Sequence, residues 1–258
     1  MSDEEPRIIL WDIETTPLVS YTWGTWQTDV IKVKEDWGIL CFAWKVIGQK
    51  KVHIVARPDF EEEYAANPDD DFKVVEALHE VLSSADITIA HNGDQFDIQK
   101  ANARFIIHGF DPPTPSQSID TLKVARRSFA FTSNKLDDLG QTLGLGKKAR
   151  HNGIATWIGC MDGDPQSWSV MTKYNARDVK LLEAVYLRLR PWIIGHPNMA
   201  LLSEMPDGCP NCGEHALVKQ GFKKLRTMKY QRYQCNNCGA WSRGTKAIKD
   251  TPKPMAVN

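Results

Sequence analysis

No stretch of this sequence is apolar for long enough to cross a bilayer: the longest uncharged apolar run, Ile39 to Trp44, is far shorter than a membrane span. The opening residues, Met1-Ser2-Asp3-Glu4-Glu5-Pro6-Arg7, are acidic and lack the apolar centre of an export signal. The expectation is a soluble, cytoplasmic protein with no membrane partner. Large-scale disorder and internal repeats are missing too, and 258 residues suffice for one substantial domain and a small one. Net charge is also absent, since 32 Lys and Arg balance 32 Asp and Glu, but the balance hides an asymmetry. From Pro206 onward ten basic residues face three acidic ones, a charge of +7, while residues 1–205 carry 22 against 29, a charge of −7. An acidic body with a basic tail suits a polyanion partner for the tail, set against a merely solvated basic surface.

Cysteine is sparse, and four of the six residues carry metal spacing. Cys209-Pro210-Asn211-Cys212-Gly213 and Cys235-Asn236-Asn237-Cys238-Gly239 are paired knuckles 22 residues apart. Each lets two thiolates converge on one ion, and the glycine permits the turn that follows. Cys209, Cys212, Cys235 and Cys238 are therefore the expected ligands of one structural Zn²⁺ in a zinc ribbon, preferred over a disulfide or redox reading. Cys41 and Cys160 read as plain buried thiols.

Along the chain, Ile8 to Glu14, Ile39 to Val46, Lys51 to Val55 and Ile87 to Ala90 have the apolar, β-branched character of strands, the first three lying together at one end of a sheet. Asp71 to Leu82, Gln95 to His108, Asp120 to Arg127, Leu136 to Leu143 and Gln166 to Leu189 read as helices, the last carrying Val170, Tyr174, Asp178, Leu181, Leu182 and Val185 on one stripe. This is an α/β chain, a mixed sheet with flanking helices. Its expected division is a domain over residues 1–200, the ribbon over 206–245, and a disordered tail over 246–258.

Three acidic elements carry the chemistry. In Arg7-Ile8-Ile9-Leu10-Trp11-Asp12-Ile13-Glu14-Thr15-Thr16-Pro17, alternation along a strand puts both carboxylates on one face of a strand buried on both sides. Two adjacent like charges there need a positive partner, a divalent cation above all, unless the pair simply faces solvent. His91-Asn92-Gly93-Asp94-Gln95-Phe96-Asp97 follows the strand Ile87 to Ala90; Asn92 or Asp94 is expected to cap the next helix, which leaves Asp97 unexplained. In Tyr174-Asn175-Ala176-Arg177-Asp178 the four-residue interval stacks phenol and carboxylate on the inward face of the last helix, where a buried ion pair is the simpler alternative. His91 and His151 have no ligand spacing and are expected to be hydrogen-bonded or exposed.

Taken together, Asp12-x-Glu14, Asn92-x-x-x-Phe96-Asp97 and Tyr174-x-x-x-Asp178 resemble, in order, the three motifs of the DEDD superfamily of 3′→5′ exonucleases, a branch of the RNase H-like fold. The tyrosine form (DEDDy) fits, as in the exonuclease domains of family B DNA polymerases; the histidine form wants His five residues before the last Asp, where Lys173 stands. The resemblance covers roughly residues 7–192. Lys135-Leu136-Asp137-Asp138-Leu139 and Tyr230-Gln231-Arg232-Tyr233-Gln234-Cys235 look like a stand-alone bacteriophage nuclease group with an appended ribbon, which implies the host cytoplasm. No polymerase palm, fingers or thumb follows, so the substrate need not be a primer end.

The resemblance implies two Mg²⁺ or Mn²⁺ ions about 3.5 to 4 Å apart, held by Asp12, Glu14, Asp97 and Asp178, with Tyr174 orienting the attacking water. It implies contacts to the terminal nucleotide from Asn92, Phe96 and the main chain near Thr15 and Thr16; for Phe96, core packing is an equal alternative. The expected substrate is a single-stranded DNA end, with an exoribonuclease or a catalytically silent adaptor as alternatives, and a polymerase or single-strand-binding protein as candidate partner. In the tail Lys223, Lys224, Arg226, Lys229 and Arg232 interleave with aromatics including Trp241, a mixture suited to nucleic acid before protein docking. Trp23, Trp26 and Trp37 could line a strand channel, but large aromatics in a mixed fold are more often core.

Overall fold

A computed structural model describes residues 6–147, 152–205 and 207–248. Within them the chain forms two compact units, one from Arg7 to Tyr186 and one from Leu187 onward. In chain order the first holds β1 (Ile8–Thr15), β2 (Val19–Tyr21), β3 (Lys32–Glu35), β4 (Ile39–Val46), β5 (His53–Ala56), α1 (Glu61–Ala66), α2 (Phe72–Ser83), β6 (Ile87–Ala90), α3 (Asp97–Ile107), β7 (Gln117–Asp120), α4 (Thr121–Ser128), α5 (Leu136–Thr142), α6 (Ile154–Met161) and most of α7 (Pro165–Leu189).

One five-stranded sheet runs β5-β4-β1-β6-β7, with β1 at its centre, antiparallel to β4 and parallel to β6. Alternation along β1 explains both faces. Ile9, Trp11 and Ile13 pack with Val75, Leu78 and Leu82 of α2 and Ala101 and Phe105 of α3 in one buried cluster. Leu10, Asp12 and Glu14 therefore point to the opposite face, the side on which the Asn175 side chain of α7 meets Asp12. On that side Leu40, Cys41 and Ala56 pack with Cys160, Trp168 and Met171.

Several elements escape the hydrophobic pattern. β2 and β3 pair as a separate two-stranded hairpin between β1 and β4, and the tryptophans at its tip are not core: Trp23 is 81% and Trp26 98% exposed. β7 is an edge strand whose Gln117 and Ser118 are exposed, and its last residue, Asp120, caps α4 by accepting from the Leu122 amide at 2.9 Å. α1 and α6 are short, each under one apolar stripe in length.

In the second unit, α8 (Met199–Leu202) precedes an antiparallel sheet of β8 (Leu217–Lys224), β9 (Lys229–Cys235) and β10 (Trp241–Ala247), ordered β10-β9-β8. Gly213 and Gly239, each closing a Cys-x-x-Cys turn, take left-handed φ of 81° and 79°, where a side chain would be strained. β10 continues through Lys246 and Ala247, so those two residues of the expected tail are strand because they pair onward beside β9. Residues 249–258 of that tail, and His151, lie outside the described residues.

Candidate functional site

The centre of the sheet and α7 bring three acids together. Carboxylate oxygens of Asp12 and Glu14, on β1, and of Asp178, on α7, all lie within 4.8 Å of one another. Asp178 is buried, and the other two are half-buried. Three hard oxygen donors this close repel one another as anions and suit a divalent cation such as Mg²⁺ or Mn²⁺. Asp97, buried as the first residue of α3, accepts from the Ile13 amide at 3.2 Å, which seats it beside the β1 backbone between the two strand acids. Its oxygens are not among those that meet within 4.8 Å. Tyr174 is buried one turn before Asp178, its ring edge-on to Trp157 at 6.2 Å between centroids.

Asn175 is the residue that motif reading overlooks. Wholly buried, it donates from Nδ2 to Asp12 Oδ2 at 2.7 Å and to the Asp12 carbonyl at 3.3 Å, and its Oδ1 accepts from Cys41 Sγ at 3.9 Å. Its position three residues before Asp178 was the available signal, since that interval shares a helical face. Behind Glu14, burial pushes the Cys41 thiol well above its usual range, with the Glu14 charge adding to it. Burial likewise pushes Cys160 up to about 12, helped by Asp164 and then Glu14. Both are inert, uncharged packing groups.

The second acidic segment needs correction at its caps. Neither Asn92 nor Asp94 caps α3; Phe96 is at the N-cap, with no side-chain cap bond. Asp94 is instead engaged by Lys123 and Ser118, each at 2.7 Å. Asn92 adopts a left-handed φ of 67°, donates its amide to Asp120 Oδ1 at 2.9 Å, and accepts at its carbonyl from the Gln95 and Phe96 amides. Phe96 is not core packing: it is 39% exposed, with the Lys100 ammonium 5.2 Å from its ring centroid. Thr15 pairs with Ile39 across a register shift, and both the amide and hydroxyl of Thr16 are bonded to Gly38 main chain at 2.9 Å, so Thr16 braces the strand end. His91 is held between Thr121 Oγ1 at 2.8 Å and the Asn134 carbonyl at 3.0 Å.

A cleft of about 660 Å³ reaches Asp12 and is lined by His91, Asn92, Arg126, Ser133 and Lys135 among others. That volume is in the range of a small-ligand site. Arg126 and Lys135 are exposed and enter no ion pair among the described residues, so the cleft sets two basic side chains against Asp12, with Asp137 also in its lining. A third acidic group, Asp70, Asp71 and His108, differs in kind. The Asp71 carboxylate already accepts from Arg104 Nε at 2.8 Å and from the Ile39 amide at 2.8 Å, and its other oxygen meets His108, so its charge is matched without a metal.

In the second unit the four thiols Cys209, Cys212, Cys235 and Cys238 lie within 4.8 Å of one another. Cys209 to Cys238 is 3.8 Å and Cys212 to Cys235 is 3.7 Å between sulfurs. A tetrahedron of zinc–sulfur bonds near 2.3 Å has edges of about 3.8 Å, so the set fits zinc. The Asn211 amide donates to Cys209 Sγ at 3.4 Å and Asn237 Nδ2 to Cys212 Sγ at 3.6 Å. Burial works against ionising Cys235, yet the Cys238 and Asn237 amides and neighbouring thiols bring it below its ordinary value. On the adjoining sheet Lys229 lies 3.9 Å over the Phe222 ring, Arg232 4.7 Å over Trp241 and Arg243 4.2 Å over Tyr230, with Lys223, Lys224 and Arg226 exposed nearby in sequence.

A mixed five-stranded sheet with helices on both faces and acids on its central strand defines an RNase H-like fold. A family model described as the RNase H superfamily matches residues 28–190, well over half of the chain, so the chain belongs to the RNase H superfamily. Members are mostly metal-dependent nucleases, which makes this chain, at the level of class, a nuclease-type hydrolase. A search of curated proteins finds no match. No helix among the described residues is long and apolar enough to cross a membrane.

Proposed function

We propose that the chain is a DEDDy-type, two-metal-ion 3′→5′ exonuclease that removes nucleotides from single-stranded DNA ends, with its four-cysteine unit a zinc ribbon that contacts nucleic acid. The observation that carries the reading is the meeting of Asp12, Glu14 and Asp178 oxygens within 4.8 Å, with Asp97 tied to the Ile13 amide between the two strand acids. Asp12, Glu14, Asp97 and Asp178 would hold two divalent cations, which would supply charge stabilisation at the scissile phosphate and an acidified water. Asp12 presents its carboxylate from the central strand of the sheet, with Oδ2 fixed by Asn175. Tyr174, one helical turn before Asp178, orients the attacking water through its hydroxyl, and its ring is kept in place by Trp157. Phe96 offers an exposed ring for the terminal base, and Arg126 and Lys135 draw the phosphate backbone into the cleft.

The test is a time course on 5′-labelled single-stranded DNA and matched RNA, in Mg²⁺, in Mn²⁺, and with the added metal withheld. A metal-dependent ladder that shortens from the 3′ end on DNA supports the reading. The same ladder on RNA alone moves the substrate to RNA, and binding without any cleavage of either strand favours an adaptor.

A further inference from the structure

The β2–β3 hairpin holds an uncovered aromatic surface. Trp23 and Trp26 stand almost wholly in solvent, and Tyr21, Val30, Ile31 and Val33 around them are exposed as well. An apolar patch kept in water on a folded domain marks a contact surface. None of the ring pairs among the described residues includes Tyr21, Trp23 or Trp26, so each ring presents its own face rather than packing with its neighbours.

The foot of the hairpin is as firm as its tip is bare. It leaves β1 directly after Glu14 and Thr15 and is closed by the paired Thr16 and Gly38 bonds at 2.9 Å. Trp37, at the returning end, is gripped by α3: Lys100 lies 3.7 Å over its ring and Arg104 lies 5.9 Å from its centroid. The same Lys100 ammonium is 5.2 Å from the ring of Phe96, the residue before Asp97, so one cation lies against rings at the base of the hairpin and at the start of α3. The hairpin itself carries no cationic excess. Lys34 is paired with Glu35 at 2.7 Å, and Asp29 and Asp36 offset Lys32.

From this arrangement we infer that the β2–β3 hairpin is a stacking arm for single-stranded DNA, Trp23 and Trp26 each taking a base of the strand whose 3′ end lies at the acidic site. The inference rests on the nuclease reading for what occupies that site. Stacking is tolerant of sequence because every base has a face, and a hairpin with two lysines against three acids, a net charge of −1, contributes through its rings and not through cationic attraction that salt would screen. The arm therefore differs in kind from the two basic side chains of the cleft.

The test compares wild type with Trp23→Ala, Trp26→Ala, the double variant and Trp26→Phe. One substrate is the p-nitrophenyl ester of thymidine 5′-monophosphate, too small to reach the arm; the other is single-stranded DNA of roughly 16 nucleotides, enough to extend past the site. Binding of the oligonucleotide is also read by anisotropy in Ca²⁺ across a salt series. Each alanine is expected to raise the oligonucleotide KM and Kd about tenfold, to leave ester hydrolysis and thermal unfolding unchanged, and to leave the salt slope unchanged, with phenylalanine near wild type. An oligonucleotide Kd that the double variant does not alter overturns the arm. So does a change in molecular mass by light scattering, which would make the hairpin an interface between copies. A wild type that cleaves neither substrate overturns the nuclease reading, while a loss of binding in the double variant would still support the arm.

Discussion

The Asn175 amide decides which way the central carboxylate faces. With Nδ2 at 2.7 Å from Asp12 Oδ2, it ties that oxygen to α7 and so couples the strand acid to the helix that carries Asp178. Groups that orient metal ligands in this way matter nearly as much as the ligands. Asn175→Ala is expected to lower cleavage roughly 10- to 100-fold and to raise the Mg²⁺ concentration needed for half-maximal rate, as a metal titration of the cleavage rate would read. An unchanged titration midpoint would make Asn175 a packing residue. Tyr174→Phe separates a different contribution, because it keeps the ring against Trp157 and removes only the hydroxyl. Its kcat should fall about 100-fold with the Mg²⁺ midpoint unmoved. Sequence spacing placed Tyr174 and Asp178 on one inward face, but it could not say that the residue between them would be fully buried against Asp12. That contact depends on how closely α7 approaches β1.

At the level of elements, Asp71 clamps three of them. It accepts from the Ile39 amide at the start of β4 and from Arg104 and His108 of the α3 segment, while itself leading into α2. Burial alone would raise its carboxyl, but the Arg104 guanidinium, the Ile39 amide and His108 outweigh that and hold it below the ordinary value. A carboxyl depressed in the fold and ordinary in the unfolded chain adds stability above its unfolded pKa of about 3.9, and that stability disappears as pH falls through the lower folded value. Wild type should therefore lose stability as pH falls below about 4. Asp71→Asn should unfold more easily at pH 7, by roughly 3–5 kcal/mol because Arg104 loses its buried partner, and should show a shallower acid arm when denaturation is followed against pH. Elements were legible where burial imposed a period. β1, β4 and β6 are near-continuous buried apolar runs and α2 and α7 bury apolar residues on a 3.6-residue repeat, and their spans were readable for that reason. β7 and the β2–β3 hairpin were not, because β7 is half exposed and held by backbone pairing with β6, and the hairpin turns its aromatics outward. The α3 cap was misread because Lys123 and Ser118, distant in sequence, compete for Asp94.

For the whole molecule the division of charge carries the argument. The compact unit with the acidic site, residues 7–186, carries 20 basic against 25 acidic residues, a charge of −5, and the chain from Leu187 onward, with the four cysteines, carries 12 against 4, a charge of +8. If zinc organises that unit, Cys212→Ser should cost it its fold while the ester of thymidine 5′-monophosphate is still hydrolysed. The variant's affinity for a long single strand should drop, and the dependence of log Kd on salt between roughly 50 and 200 mM should become shallower, the remainder coming from Arg126 and Lys135 of the cleft, read by anisotropy. The cysteine spacing made the four ligands readable because both knuckles are local. The acidic site was readable only as three separate motifs, since its assembly waits on the crossing of β1, α3 and α7. Whether these acids form a cation site is decided by calorimetric titration of Mn²⁺ into the zinc-loaded protein, wild type against Asp12→Ala. Two Mn²⁺ ions are expected to bind wild type, and tight binding should be lost in the variant while its fold stays intact by circular dichroism. Equal Mn²⁺ stoichiometry and affinity in the two proteins would rule out a cation site at these acids.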